Sequence, residues 1–299
     1  MKKIVITAVV IVVITAVFIS FITHSRNSAS SLESRLSKAR LLVKNQNLKE
    51  AKESYRLIID DFKESEKAAI ALSELADIYR AEGQPLKAKQ IYTDIIRRYP
   101  EHNAVVEIQD KLWNLNIEIL FSGLITDNSA VYEVKAGDTL SKIAKKFKTT
   151  VELMKRSNDI KNLTIRPNDR LKVVTAAFSI VVDKSQNTLT LKAGDEVIKI
   201  YSVSTGKDNC TPTGDFTIVT KLKDPVHFQP GKIIPAESPE NVLGSRWMGL
   251  SVKSYGIHGT VEEGSIGQQI TKGCVRMTNG EVEELYDIVT KGTEVTIVD

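Results

Sequence analysis

The chain has 299 residues, 42% of them apolar and 26% charged, with a formal net charge of +4. That length exceeds one ordinary domain, and the composition supports folded cores rather than wholesale disorder. So mild a charge, with no arginine-rich run interleaved with aromatics, argues against nucleic-acid binding. Two cysteines, Cys210 and Cys274, make neither a disulfide framework nor a CxxC site, and four scattered histidines without HExxH argue against a zinc protease.

Lys2 and Lys3 precede an uncharged apolar run, Ile4 to Ile22. As a helix rising about 1.5 Å per residue, it is long enough to cross the hydrocarbon core of a bilayer. The two lysines stay on the cytoplasmic side. The expectation is an N-terminal transmembrane helix and polar stalk over 1–28, single-pass in the cell membrane, with the bulk on the periplasmic or cell-wall side. A cleaved signal peptide is the rival reading. Its apolar core is usually shorter, and bulky Phe18, Phe21 and Ile22 offer no small-x-small site, although Ser28-Ala29-Ser30 follows.

From Ser31 to Leu120 apolar residues recur at three and four, which predicts helices, with Pro85 and Pro100 at helix boundaries. Ala51, Tyr55, Ile58, Ile59 and Phe62 recur as Ala88, Tyr92, Ile95, Ile96 and Tyr99 at a constant offset. The pattern resembles tetratricopeptide helix pairs, giving an all-α domain over 31–121. Two readings stand: a groove that docks a protein partner, and a spacer that lifts later domains off the membrane. The polar stretch Ser122 to Ala130 marks a boundary.

Between Val131 and Val174 the pattern is strand, helix, helix, strand. Val131 to Val134 alternates, Gly137-Asp138-Thr139 turns the chain with Asp138 as N-cap, and Leu140, Ile143, Ala144 and Phe147 form a helix face. Thr149-Thr150-Val151-Glu152 reads as a capping box for a second helix. Arg170 to Val174 closes the unit. With Tyr132-Glu133-Val134-Lys135-Ala136-Gly137-Asp138-Thr139-Leu140, Asn158 and Ile165-Arg166-Pro167-Asn168-Asp169, this βααβ segment, 131–174, resembles the LysM module. The resemblance implies binding to peptidoglycan glycan chains, with Gly137, Asp138, Thr139, Asn158 and Pro167 as candidate contacts. Eleven Lys/Arg against five Asp/Glu in the segment leave open an attraction to anionic wall polymer or a merely solvated face.

From Phe178 onward short strands rich in Val, Ile and Thr predict a mainly antiparallel sheet: Phe178 to Val182, Thr188 to Lys192, Val197 to Ser204 and Asp215 to Thr220. A helix over Glu281 to Val289 and a strand over Glu294 to Val298 follow. The chemistry lies in Gly256-Ile257-His258-Gly259-Thr260 and Thr271-Lys272-Gly273-Cys274-Val275-Arg276-Met277. A cysteine attacks carbonyls as thiolate, and a histidine within reach can take its proton. Gly273 leaves room for a substrate carbonyl, backbone N–H groups there can hold an oxyanion, and Arg276 can clasp a carboxylate. Taken singly, a cysteine in a β domain is more often a small core hydrophobe and a histidine structural.

Together, His-Gly-Thr and Lys-Gly-Cys-Val-Arg at this spacing resemble the active-site signature of the L,D-transpeptidase catalytic family, over 178–299. Ser204-Thr205-Gly206-Lys207, Thr211-Pro212-Thr213-Gly214-Asp215-Phe216 and Leu243 to Leu250 carry the resemblance further. It implies a mainly-β domain that takes no metal or cofactor. Cys274 would attack the carbonyl of the third residue of a peptidoglycan tetrapeptide stem and release D-Ala, with His258 as base. An amine acceptor gives a 3→3 cross-link or attaches a protein, and water gives a carboxypeptidase. Gly273 and Cys274 N–H groups would serve the oxyanion, and Lys272, Gly259 and Arg276 would flank it and the substrate. Many members carry a second histidine where Lys272 stands. A non-catalytic wall-binding scaffold is the alternative of a different class.

Two residues keep open readings. Cys210 is an incidental thiol or a redox partner of Cys274. His227, in a proline-rich loop with Pro230, Pro235 and Pro239, is a structural residue or a substrate contact. Tyr255 and Trp247 read as packing residues.

Overall fold

The computed structural model describes residues 31–63, 67–229 and 231–299. The expected anchor at 1–28 lies outside them; among the described residues no helix is long and apolar enough to cross a membrane. The chain divides into two compact units, Met1–Leu112 and Trp113–Asp299.

The first unit is helical: α1 (31–44), α2 (Leu48–Phe62), α3 (Lys67–Ala81), α4 (Pro85–Arg98) and the first turns of α5 (Val105–Phe121). Pro85 opens α4, where its missing N–H costs nothing. The repeated positions fall on α2 and α4. Ala51, Tyr55 and Ile58, and Ala88, Tyr92 and Ile95, are all at most 1% exposed. Alanine lets helices approach, and each tyrosine fills the space beside it while its hydroxyl finds a carboxylate: Tyr55 donates to Glu74 at 2.7 Å and Tyr92 to Asp77. Arg40, Leu48, Tyr55, Glu74, Asp77 and Ile78 line a cavity of about 390 Å³ within this unit.

In the second unit, β1 (Ser129–Glu133), α6 (Leu140–Phe147), α7 (Val151–Ser157) and β2 (Arg170–Val174) make the expected βααβ segment. The strands pair antiparallel from Ser129↔Val174 to Glu133↔Arg170. The caps differ from expectation. Thr139, not Asp138, caps α6 by accepting the Lys142 N–H, and Thr150, not Thr149, caps α7 by accepting the Leu153 N–H at 2.9 Å. Asp138 is drawn away because its carboxylate accepts from Tyr132 Oη and Lys135 N, both at 2.8 Å. Val134, Leu140, Ile143, Ala144, Met154, Leu171 and Val173 form the small core.

The strands that follow are β3 (Phe178–Asp183), β4 (Thr188–Ala193), β5 (Glu196–Ser202), β6 (Thr205–Gly206), β7 (Gly214–Lys223), β8 (His227–Gln229), β9 (Lys232–Ile234), β10 (Arg246–Leu250), β11 (Gly256–His258), β12 (Gln269–Thr271), β13 (Val275–Arg276) and β14 (Glu294–Val298), with α8 (Asn279–Ile288) before the last. An eight-stranded sheet runs β13-β11-β10-β7-β14-β3-β4-β5. Five of its seven pairings are antiparallel, in keeping with the run of short strands, and two are parallel. β14 pairs parallel with β3, and β11 parallel with β13. Such pairs need long crossovers, which local alternation cannot reveal. The core beneath the sheet includes Ile180, Leu191, Met248, Ile257, Val275 and Met277, and also Leu153 of α7 and Ile117 and Leu120 of α5.

Candidate active site

The parallel pairing of β11 and β13 assembles the site. Its register sets Ile257 opposite Val275 and His258 opposite Arg276. Alternate residues of a pleated strand share a face, so Gly256, His258 and Arg276 lie on one side. Cys274, one residue before β13, continues that side. Its sulfur receives the Gly256 N–H, and its thiol faces the Ser254 carbonyl at 3.8 Å.

His258 is 3% exposed and held on two sides. Its ring stacks on Trp247, its cross-strand neighbour, with centroids 6.0 Å apart. Its Nδ1 lies 2.7 Å from the Gly259 carbonyl. A carbonyl only accepts, so Nδ1 carries the proton and Nε2 presents a lone pair. Burial drives the His258 pKa down to about 4; Gly259 opposes this, while the charges of Arg276 and His227 reinforce it. Burial likewise pushes the Cys274 thiol up, against the Gly256 N–H and the Arg276 charge. The resting pair is therefore neutral thiol and neutral imidazole, not a preformed thiolate.

The turn before the cysteine is braced by Thr271. Its hydroxyl donates to the Cys274 carbonyl at 2.6 Å and accepts the Gly273 N–H at 3.1 Å. Gly273 has φ +113°, and a Cβ there would stand 2.5 Å from Tyr255 Cε1. Only glycine suits both demands. Of the expected oxyanion pair, the Gly273 N–H is thus bonded to Thr271 in this structure. The Cys274 N–H has no hydrogen-bond partner among the described residues and remains available.

Arg276 Nη1 donates to Ser265 Oγ at 3.1 Å and lies 3.4 Å from Glu262 Oε2, while its Nε is buried without a partner. Gly259 is buried, and a Cβ on it would stand 2.3 Å from Asn279 Oδ1. Its carbonyl orients His258. Lys272 is exposed beside the cysteine turn. Trp247, read as packing, does pack, but against the imidazole. Thr271, a hydroxyl three residues before the cysteine, is a bracing residue that the motif alone does not assign.

Cys210 is exposed and its thiol is free, with Sγ 4.0 Å from the Thr271 carbonyl. His227 lies on β8, whose hairpin with β9 pairs His227 with Ile234. Among the described residues no cluster of metal-ligating side chains occurs.

In the βααβ segment the candidate contacts divide. Gly137, Thr139 and Pro167 are exposed on turns joined through Val134, whose N–H and carbonyl bond to Asp169 and Asn168. Asn158 is consumed by the fold: its amide donates to the Met154 and Lys172 carbonyls, both at 2.8 Å, and accepts the Lys172 N–H. Asp138, spent on its turn, is in the same position.

Residues 177–297 match the L,D-transpeptidase catalytic domain, 132–174 the LysM domain and 71–102 the tetratricopeptide repeat. Bacillus subtilis YqjB, named as an L,D-transpeptidase, is 40% identical over 126 residues, spanning 40% of this chain and 70% of its own. Bacillus subtilis YkuD, so named too, is 34% identical over 173 residues, spanning 56% of this chain and 97% of YkuD. The Bacillus licheniformis protein of that name is 36% identical over 176 residues, spanning 56% of this chain and 98% of its own. With nearly the whole of such relatives matched and the Cys-His pair brought onto one face of the sheet, the chain belongs to the L,D-transpeptidase family.

Proposed function

We propose that the protein is a peptidoglycan L,D-transpeptidase working through a cysteine acyl-enzyme. The observation that carries this is the fixed tautomer of His258 on the face it shares with Cys274. Its Nε2 takes the thiol proton as sulfur attacks the carbonyl of the third stem residue. The oxyanion forms against the Cys274 N–H. The imidazolium returns its proton to the departing D-Ala amine, leaving a thioester. An acceptor amine then gives up a proton to the same nitrogen, attacks the thioester and frees the thiol. Water in its place makes the enzyme a carboxypeptidase.

The LysM segment, 131–174, holds the catalytic segment, 178–299, on glycan chains through its exposed turns. The run Ile4–Ile22 anchors the chain in the membrane, with the rest on the cell-wall side. The helical segment, 31–121, acts as spacer or as the seat of a protein partner.

Intact-protein mass spectrometry of the full chain with a disaccharide-tetrapeptide tests the reading. A tripeptide adduct on Cys274, with D-Ala release that vanishes in Cys274→Ala, is the expected result, and the product mass names the acceptor. No adduct, no D-Ala and no labelling by a carbapenem would leave a wall-binding scaffold.

A further inference from the structure

The β8–β9 hairpin leaves the sheet at the end of β7, where the Asp224 N–H donates to the Ser245 carbonyl at 2.9 Å. Ser245 leads into β10, which carries Trp247 opposite His258. The hairpin is thus rooted at the histidine end of the site. Its two feet are tied by one buried side chain: Asn241, 2% exposed, donates to the Pro225 carbonyl at 2.8 Å and the Pro235 carbonyl at 3.0 Å. Ile234, the partner of His227, is 3% exposed. The position of His227 is therefore set by the fold.

Its Nδ1 is buried and has no hydrogen-bond partner. A buried polar atom left unpaired is destabilising, and each calls for a partner or a role. His227 is also near enough to His258 to lower its proton affinity. The site has a matching need. A tetrapeptide stem ends in the carboxylate of the residue that departs, close to the scissile carbonyl; Arg276 Nη1 is turned to Ser265 and Glu262, and Arg276 Nε, like His227 Nδ1, is buried without a partner.

We propose that His227 is a substrate-binding residue that donates Nδ1–H to the terminal carboxylate of the donor stem, so that it selects stems ending one residue beyond the scissile bond. This rests on the transpeptidase reading. A stem longer by one residue carries its carboxylate past that nitrogen, and an amidated stem presents no charge to it.

The test compares the full chain with His227→Phe and His227→Gln on two donors, a disaccharide-tetrapeptide with a free carboxylate and the same molecule as its C-terminal amide. The wild type is expected to favour the carboxylate donor by about tenfold in kcat/KM, the size of one charge-assisted hydrogen bond, chiefly through KM. His227→Phe is expected to abolish that ratio, and His227→Gln, which keeps an N–H donor, to restore part of it. Alkylation of Cys274 by iodoacetamide reports whether the nucleophile and its surroundings survive in each variant. An unchanged ratio in His227→Phe, or a wild type indifferent to amidation, overturns the assignment while leaving the transpeptidase reading intact. A wild type that releases neither D-Ala from the free donor nor D-alaninamide from the amidated one overturns both.

Discussion

The hydroxyl of Thr150 caps α7 and also donates to the Asp287 carbonyl in the last turn of α8. One side chain thus satisfies an orphan donor at the start of one helix and an orphan acceptor at the end of another. Around it, Arg156 meets Asp287 at 3.1 Å, Glu152 meets Lys223 at 2.8 Å, and Leu153 enters the core beneath the sheet. The LysM segment is fused to the catalytic fold rather than strung beside it.

Leu153→Ala is expected to destabilise the second unit by about 2–5 kcal/mol, and Thr150→Val by about 1–3 kcal/mol. In differential scanning calorimetry, 113–299 should unfold in one transition that both variants lower. A separate LysM transition, unmoved by Leu153→Ala, would contradict this coupling.

The buried imidazole makes stability depend on acid. The unfolded chain binds a proton at His258 as pH falls below about 6.5, whereas the folded chain does so only near 4. Between those values the unfolded state holds more protons, so stability is lost as pH falls across that window, on the order of 3 kcal/mol from this group. Urea unfolding of the wild type and His258→Asn from pH 4 to 7 should show the steeper acid loss in the wild type. Parallel curves would rule the buried neutral histidine out.

A thiol raised above its ordinary value reacts slowly at neutral pH. In a Cys210→Ser background, iodoacetamide alkylation of Cys274 should be slow at pH 7 and reach its midpoint at higher pH than a free cysteine. Arg276→Gln removes a charge that favours the thiolate, so its midpoint should lie higher still. A midpoint below that of a free cysteine would mean that the resting site holds a thiolate.

Gly273→Ala places a methyl against the Tyr255 ring at a positive φ. The turn must shift to relieve it, carrying Cys274 with it. Displacement of a nucleophile by about 1 Å can cost on the order of a hundredfold, so D-Ala release should fall by at least tenfold while circular dichroism stays native. Full activity in this variant would show that the turn is not what positions the sulfur.

Two lysines, Lys172 buried and Lys221 half-buried, extend the same sign of pH dependence into alkali. Lys172 donates to the Ile119 and Ser122 carbonyls at 2.9 and 2.7 Å, and Lys221 to the Tyr286 and Val289 carbonyls, both at 2.6 Å. Burial lowers each to about 8. From pH 8 toward 10 the unfolded chain keeps protons that the folded chain sheds, so stability should rise across that range. Lys172→Met and Lys221→Met should each flatten the rise in urea unfolding; an undiminished rise in both would assign it elsewhere.

Much of this protein was legible in one dimension because its signals are local. The strand over Arg170–Val174 and the last strand over Glu294–Val298 follow from alternation, and the Ala-Tyr-Ile repeats of α2 and α4 from helical spacing. Cys274 and His258 stood out as residue types at a telling separation. Caps were less legible, since Thr149 and Thr150, or Asp138 and Thr139, offer neighbouring oxygens that only three-dimensional competition sorts out.

The amino-acid sequence by itself determined the module order and the family, and singled out Cys274 and His258 as the candidate pair, because periodicity and motif chemistry are properties of short stretches. Tertiary structure alone decided which hydrogen bonds were already spent: the Gly273 N–H on Thr271, Arg276 Nη1 on Ser265 and Glu262, and the Asn158 amide on β2. It alone set His258 into the Gly259 carbonyl and left the His227 nitrogen unpaired. The reason is that each polar group forms few hydrogen bonds, and which partner takes them depends on distances that a parallel strand pair and a long crossover create.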